Sequence, residues 1–258
     1  MKGLTTALRT LTLIPAPGRE SDHLSSSLPW FPLVGFVLGL LLYALALLWT
    51  WLIPGDWPEG GAAILLIAGI ILTRGLHLDG LADWADALGG HGEKEHRLTI
   101  MKDAHLGAFG VLALVMALLL KWVTITRLFS DGSLFWLFPV LMISRAMMVE
   151  LISTLPYARA GEGTARPFVQ GSSSKSRFIA HFSSIMVCLF FSLGGLFLFF
   201  VGWITTRLLG HSFKRGFGGI TGDLLGTTNE LVEIILLMIC ALYGTSLFKL
   251  IPYWRGPF

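Results

Sequence analysis

Charged residues are scarce in this chain, and cysteine is nearly absent. Asp, Glu, Lys and Arg make up 14% of the 258 residues, hydrophobic residues make up 54%, and the mean hydropathy is +0.72. A soluble domain of this length needs more polar surface to cover its core. The two cysteines, Cys188 and Cys240, lie in apolar runs and provide neither a disulfide framework nor the ligand spacing of a zinc site. The apolar runs therefore have to face lipid.

The first 27 residues also lack a continuous apolar stretch followed by a small-residue cleavage site. Pro15 and Pro17 interrupt this polar segment. We therefore expect no cleavable signal peptide, and we expect the first membrane segment to direct insertion.

Apolar runs long enough to cross a bilayer recur along the chain. A membrane helix needs roughly 20 such residues, and this pattern predicts an all-α, polytopic bundle in the membrane. Residues 178–209 form either one span or two short helices hinged at Gly194 and Gly195. The other predicted spans are 28–52, 62–76, 106–129, 134–155 and 231–251.

The placement of basic residues favours two helices in the ambiguous segment. Most of the 19 Lys and Arg residues fall in four polar blocks, whereas the connections 53–61 and 130–133 contain none. The positive-inside rule places basic blocks in the cytoplasm, and two helices within 178–209 put all four blocks there. We therefore predict about seven membrane segments, or six if 178–209 is a single span, with the N-terminus inside and the C-terminus outside. The chain is then one transmembrane catalytic domain, 1–258, with cytoplasmic motif blocks at 74–105, 156–177 and 207–230.

An acidic motif follows the second apolar run. Asp79, Asp83 and Asp86 stand at i, i+4 and i+7, so on a helix their carboxylates share one face. Like charges at a membrane helix end usually mark function, and all-oxygen ligands suit Mg²⁺ or Mn²⁺. Gly80 leaves room for a phosphate at the backbone, and His77 is a ligand, a base or a hydrogen-bonding partner. A solvated acidic face is the plain alternative.

Four further residues join this candidate site. Asp103 could complete the metal site and Lys102 could hold a phosphate oxygen, although Asp103 also suits a helix N-cap. Arg145 stands inside the fourth span, where an arginine should face the bundle interior and an anionic partner. Arg159 lies in a glycine-containing segment that suits either an anion-binding loop or a plain cytoplasmic connector.

A glycine-rich segment precedes the last span. Glycines at 218, 219, 222 and 226 permit close approach of the backbone to a ligand, and Gly222 directly precedes an acidic residue. Asp223, Glu230 and Glu233 stand at i, i+7 and i+10, close to one helical face.

In their order and spacing, these blocks resemble the cobalamin synthase family, also called adenosylcobinamide-GDP ribazoletransferase or cobalamin-5'-phosphate synthase. The most specific segment is the decapeptide from His77 to Asp86, followed by Met101-Lys-Asp and the Gly222-Asp pair. Ile14-Pro-Ala-Pro and Phe31-Pro-Leu-Val-Gly extend the resemblance toward the N-terminus. The resemblance covers nearly the whole chain, and none of its departures removes an acidic position.

The resemblance implies an enzyme that joins GDP-cobinamide to α-ribazole, or to α-ribazole 5'-phosphate, with release of GMP. This Mg²⁺-dependent step is the last assembly step of the coenzyme B12 nucleotide loop. Metal bridges phosphates and neutralises the leaving group, and the acceptor hydroxyl needs a base. We expect an enzyme of the inner membrane that faces the cytoplasm, possesses no nucleic-acid partner and could form an oligomer.

The resulting hypothesis assigns a role to each candidate residue. Metal ligands and catalytic carboxylates are Asp79, Asp83, Asp86 and Asp103, the last as a further ligand or the base. Phosphates are held by Lys102, Arg145 and Arg159. A second metal or the acceptor is bound by Asp223 and Glu230, with His77, Gly80 and Gly222 also contacting substrate.

Two other membrane transferases and one non-enzymatic class are the alternatives. CDP-alcohol phosphotransferases also place an Asp-Gly pair and spaced aspartates at a helix end, but they usually carry an Ala-Arg pair where Ala82-Asp83 stands here. UbiA-type prenyltransferases typically have two motifs built around Asn-Asp. A transporter would show polar residues in the middle of several spans and an internal repeat.

Overall fold

Eleven α-helices account for most of the part of the chain that the structure describes. The structure is a computed structural model, and the described residues are 2–53, 55–90, 92–161 and 163–247. The first six helices are α1 Lys2–Leu11, α2 Phe31–Leu52, α3 Pro58–Thr73, α4 Leu76–Gly89, α5 Lys94–Ile100 and α6 Ala108–Ser130. The remaining five are α7 Leu137–Thr154, α8 Arg166–Gln170, α9 Ser174–Phe191, α10 Leu193–Phe217 and α11 Gly222–Tyr243. The predicted all-α class is confirmed.

Helix length and hydropathy confirm a multi-pass membrane protein. Five helical segments are long and apolar enough to cross a membrane: the α2 segment from Leu24, α6, the α7 segment from Leu134, α10 and α11. Helices α3 and α4 together make a sixth candidate, a broken span or re-entrant pair bent by 89°. The sequence predicted about seven membrane segments, one more than these six candidates. The difference is α9, which begins Ser-Lys-Ser-Arg and does not reach the hydropathy of a span.

The second predicted span, 62–76, is displaced in the structure. Helix α3 begins at Pro58 in its first turn, where proline is well tolerated, and it ends at Thr73. Arg74 and Gly75 both adopt left-handed backbone conformations, with φ of 58° and 62°. Two left-handed residues in succession end one helix and redirect the chain into α4. The acidic motif on α4 therefore does not continue the direction of α3.

The ambiguous segment 178–209 contains parts of two helices, as predicted, but the break lies at Ser192 and not at Gly194 and Gly195. The Ser192 side chain accepts hydrogen bonds from the backbone N–H groups of Gly194 and Gly195, which makes it the N-cap of α10. A side chain on Gly195 would collide with the carbonyl oxygen of Cys188. The glycine pair therefore allows the two helices to pack closely after the break, and α10, with 25 residues, is not short.

Helices α9 and α10 run in opposite directions across the bundle. Glu150, near the end of α7, contacts His181 in the first half of α9 and Arg207 in the second half of α10. The other end of α9 lies beside the start of α7, where the rings of Phe191 and Trp136 are 6.4 Å apart. The return of α10 brings the fourth basic block to the end of the bundle that holds the other three, as the charge pattern predicts.

The last span begins earlier than predicted. Helix α11 starts at Gly222, nine residues before the predicted start, because the Thr221 side chain caps it by accepting the N–H of Leu224. Much of the motif block 207–230 is therefore helical, in α10 and α11, and not a loop. The predicted end of the span, Ile251, lies outside the described residues.

Candidate active site

Helix α4 carries the three predicted aspartates, which confirms that they lie along one helix. Asp83 and Asp86 are half-buried, whereas Asp79 is exposed. The carboxylates of Asp79, Asp86 and Asp223 all interact electrostatically with that of Asp83. Four carboxylates from α4 and α11 are thus gathered in one region.

Asp86 differs from Asp79 and Asp83 because backbone N–H groups donate hydrogen bonds to its carboxylate oxygens. They accept hydrogen bonds of 2.8 Å each from the N–H groups of Gly107 and Gly110. A side chain on either glycine would collide with the Asp86 carboxylate. Carboxylates stabilise helix N-termini by satisfying unpaired N–H groups and by opposing the helix dipole. Asp86 therefore fastens the start of α6 to α4, in addition to any contact with a ligand.

Asp223 pairs with Arg159 across the site. The guanidinium of Arg159 donates to Asp223 over 2.8 Å and to the carbonyl of Met101 over 3.3 Å. Backbone hydrogen bonds join the segment before Arg159 to the segment before α11: Ala158 donates to Ile220, and Ile220 donates to Pro156. The structure thus brings the second, third and fourth polar blocks together around one arginine.

Gly80 and Gly226 serve close packing between α4 and α11. A Cβ atom on Gly80 would lie 2.5 Å from the carbonyl oxygen of Asp223, and one on Gly226 would lie 3.1 Å from Cα of His77. The Thr227 hydroxyl donates to the carbonyl of Gly80 over 3.0 Å. The space beside Gly80, predicted to admit a phosphate, is occupied by the backbone of α11.

A cavity of about 910 Å³ adjoins these carboxylates, and its volume is typical of small-molecule sites. Its walls include His77, Asp79, Gly222 and Asp223, four of the predicted substrate-binding or metal-binding residues. His77 is buried, and its Nε2 atom has no hydrogen-bond partner among the described residues. Thr164 also lines the cavity, and its hydroxyl would lie 3.1 Å from a Cβ atom on Gly222.

Arg145 has the buried anionic partner that its place in a span predicts. It donates to Glu233 over 2.7 Å, and Lys121 of α6 pairs with both Glu233 and Glu230 at 2.8 and 2.7 Å. All four side chains line a second, enclosed cavity of about 60 Å³. Seven residues span about 10 Å along a helix, so Glu230 lies two turns deeper than Asp223. The structure therefore places Arg145 and Glu230 in this buried cluster and not around the larger cavity.

The segment before α6 leaves Asp103 and Lys102 exposed. Asp103 contacts His105 at 2.6 Å, and this hydrogen bond lowers the pKa of the Asp103 carboxyl and raises the pKa of the His105 imidazole. Neither residue lines the cavity beside Asp79. The structure thus separates them from the carboxylates with which they were grouped, although the neighbouring Met101 contacts Arg159.

Two buried charged residues, Lys121 and Glu150, were not among the predicted residues. Lys121 interrupts the apolar run of α6, and Glu150 interrupts that of α7, where its carboxylate contacts His181 at 2.9 Å and Arg207 at 3.3 Å. A single charged residue inside a span usually faces a partner in the bundle. The same reasoning that identified Arg145 would have found both.

The donor set around Asp83 is compatible with magnesium but does not form a complete cage. No group of three or more His, Cys, Asp or Glu side chains in the described ranges is arranged to hold a metal ion. The carboxylates of Asp79 and Asp83 have no hydrogen-bond or ion-pair partner among the described residues. Magnesium is commonly held by one or two carboxylates, with water and substrate phosphates completing its octahedron.

Fold and site together define a polytopic membrane enzyme whose cavity, lined by Asp79 and Asp223, lies at the end of the bundle where its basic blocks gather. Residues 3–241 match the family described as cobalamin-5-phosphate synthase, and the chain belongs to that family.

Similar proteins named adenosylcobinamide-GDP ribazoletransferase come from several bacteria. The relative from Chlorobaculum parvum is 40% identical, over 97% of this chain and 99% of its own length. The relative from Chlorobium chlorochromatii is 42% identical, over 93% and 96%, and that from Ralstonia pickettii is 37% identical, over 92% and 93%. No solved structure matches the chain. The family resemblance seen in the motifs is confirmed.

Proposed function

We propose that this protein transfers the phosphocobinamide part of GDP-cobinamide to α-ribazole, or to its 5'-phosphate, and releases GMP. Family membership and the names of relatives that cover the whole length of the chain support this proposal. The observation in the structure that carries it is the pair of unpartnered carboxylates, Asp79 and Asp83, beside the Asp223–Arg159 ion pair. Carboxylates for a metal next to an arginine for phosphate suit a pyrophosphate substrate.

Asp79 and Asp83 are the proposed magnesium ligands. When bound, magnesium would neutralise charge on the pyrophosphate of the donor and on the departing GMP. Arg159 supplies planar N–H donors to a phosphate oxygen. Asp223 holds that guanidinium in place through its 2.8 Å contact, which orients the donors before substrate binds.

The transfer forms one bond and breaks another at the same phosphorus. The acceptor hydroxyl oxygen bonds to the phosphorus that carries cobinamide, and the bond from this phosphorus to the oxygen of GMP breaks. The hydroxyl proton passes to a basic group that is not occupied by metal. Asp223 and His77 both line the cavity and carry groups that can accept a proton.

The site faces the cytoplasm in our proposal, and the protein lies in the inner membrane. All four basic blocks lie at the end of the bundle that holds the site, whereas the connections 53–61 and 130–133 contain no Lys or Arg. This asymmetry is the one that positive-inside insertion produces. Nucleotide-activated donors are then available on the side where the cavity opens.

The test is GMP release by purified protein in lipid vesicles given GDP-cobinamide, α-ribazole and magnesium. We expect acceptor-dependent GMP and a cobalamin product, and both should disappear with a chelator and return with added magnesium. Release of CMP from CDP-alcohols, or of pyrophosphate from prenyl donors, in place of GMP would overturn the proposal in favour of the other membrane transferases.

Substitutions of Asp79 and Asp83 test whether these carboxylates bind the metal. Asp79→Asn and Asp83→Asn should each reduce turnover by at least about a hundredfold while the protein still inserts and folds, because each removes an ionised ligand. Asp56→Asn is the matched control, since Asp56 is exposed in the connection at the other end of the bundle. Near-normal turnover by either site variant would remove that residue from the site.

A further inference from the structure

The cavity beside the carboxylates has a polar part and an apolar part. Asp79 and Asp223 lie in the polar part with Thr164. The rest of the lining is mostly apolar, and we call the apolar side chains, which come from several helices, the apolar part of the cavity. These include Phe31, Ile70, Leu114, Leu118, Ile152 and Phe168.

Three side chains form a partition between this cavity and the second, smaller one. Ile70, Leu78 and Leu118 line both this cavity and the smaller cavity that holds Lys121 and Glu230. Leu118 is half-buried on α6. The three partition side chains therefore set how far a ligand can extend from the carboxylates into the bundle.

The apolar character of this lining indicates which part of the two substrates it can bind. Guanine carries hydrogen-bond donors and acceptors along its edge, and burying them without partners costs about 1–3 kcal/mol for each group. The corrin of the donor bears polar amides at its periphery and suits the open, polar side. A benzimidazole base with methyl substituents presents an apolar edge, which gains free energy when it is buried against aliphatic and aromatic side chains.

We propose that the apolar part of the cavity binds the aromatic base of the acceptor nucleoside, and that Leu118 and its partition neighbours limit the size of that base. This inference rests on the proposed function. The acceptor ribose then lies toward Asp79 and Asp223, where its hydroxyl meets the phosphorus of the donor. The donor approaches from the open side of the cavity.

The experiment compares two neighbouring positions on α6. Leu118→Trp enlarges a side chain that lines the cavity, whereas Leu119→Trp makes the same change at a residue that is 53% exposed on the outside of the bundle. We expect Leu118→Trp to raise the KM for α-ribazole by at least about tenfold, the usual scale of steric discrimination in an apolar pocket. The KM for GDP-cobinamide should stay within about twofold, and Leu119→Trp should change neither value.

A second variant keeps the inference testable if Leu118→Trp does not fold. Leu118→Ala enlarges the cavity, so nucleosides with a larger fused aromatic base should become better acceptors relative to α-ribazole. The unsubstituted benzimidazole nucleoside, which is smaller, should lose less affinity than α-ribazole in the tryptophan variant.

The outcomes separate this inference from the proposed function. Wild-type protein that releases no GMP with any acceptor refutes the proposed function and the inference together. Normal wild-type turnover with unchanged acceptor selectivity in both Leu118 variants overturns the inference alone. A raised KM for the donor with an unchanged KM for the acceptor also overturns it, and assigns the apolar part to guanine.

Discussion

Lys121→Met tests the buried charge cluster between α6, α7 and α11. Lys121 contacts Glu230 at 2.7 Å and Glu233 at 2.8 Å, and all three side chains are buried. Glu233 keeps a second cation after this substitution, because Arg145 donates to it over 2.7 Å. Glu230 has no other ion-pair partner among the described residues. The variant therefore leaves one carboxylate buried without a cation.

Removing one partner of a buried ion pair typically costs about 3–5 kcal/mol. We expect a loss of this size in the free energy of unfolding, toward the lower end, because protonation of Glu230 offers partial relief. The double variant Lys121→Met/Glu230→Gln should be more stable than the single variant. Its coupling energy should be about 0.5–3 kcal/mol, the range for residues in one network.

The assay is equilibrium unfolding in detergent micelles titrated with SDS and followed by tryptophan fluorescence. Lys102→Met serves as the control, because its side chain is exposed and surface changes usually stay within about 0.5 kcal/mol. A Lys121→Met protein as stable as that control would refute the reasoning, since it would show that Glu230 does not depend on Lys121 in the folded state.

Three further substitutions test contacts around the site. Gly80→Ala places a Cβ atom 2.5 Å from the carbonyl oxygen of Asp223, and it should cost about 1–3 kcal/mol of stability by overpacking and lower kcat by displacing the start of α11. Asp86→Ala removes two acceptors from the start of α6 and should cost about 1–2 kcal/mol, as the loss of a cap does. Asp103→Asn should let the raised pKa of His105 fall toward its ordinary value; since the imidazole is charged below its pKa, the ion pair is lost as pH rises through the raised value, and an NMR titration of His105 measures the change.

Each of these predictions has its own control. Gly161→Ala should be silent, because apart from its chain neighbours no atom of the described residues lies within 4 Å of the added Cβ, and equal stability for the Gly80 and Gly161 variants would contradict the packing argument. Asp79 lies in the first turn of α4 but accepts no hydrogen bond from the start of α6 among the described residues, so Asp79→Ala should cost less stability than Asp86→Ala; if both destabilise equally, the capping role is wrong. An unchanged His105 titration in Asp103→Asn would mean that the two side chains do not interact in solution.

Features that depend on local sequence were predicted well. Long apolar runs located the spans, because their hydropathy exceeds anything that a connecting segment can show. The spacing of Asp79, Asp83 and Asp86 predicted a shared helix, since the helical repeat is fixed by backbone hydrogen bonds. The lone charge at Arg145 predicted a buried anion, because an unpaired charge in a span is costly.

Features that depend on distant contacts were not predictable. The pairing of Asp86 with the N–H groups of Gly107 and Gly110 crosses more than twenty residues of sequence, and no local pattern indicates it. The glycines around Gly222 were predicted to admit a ligand, but the close contact of Gly80 and Gly226 with the opposing helix explains why glycine is needed within helices. Tertiary packing here overrides the low helix propensity of glycine.

The pairing of particular cations with particular carboxylates inside the bundle was also not predictable from the sequence. Glu230 shares a helical face with Asp223, so the two were assigned to one ligand. Lys121, from a helix more than a hundred residues earlier, takes Glu230 into a separate cluster. A carboxylate that pairs with a buried cation no longer faces substrate. The fold therefore decides, through these pairings, which carboxylates remain in the substrate site.

The 89° bend between α3 and α4 has a consequence for how deep the chemistry lies. Asp79 and Asp86 are seven residues apart, which is about 10 Å along a helix. On a helix along the membrane normal, their depths would therefore differ by about a third of the hydrocarbon thickness. If α3 lies along the membrane normal, this bend turns α4 toward the plane of the membrane. Asp79, Asp83 and Asp86 then lie at nearly the same depth. In our proposal, a water-soluble donor then reaches all three carboxylates at one depth instead of at three.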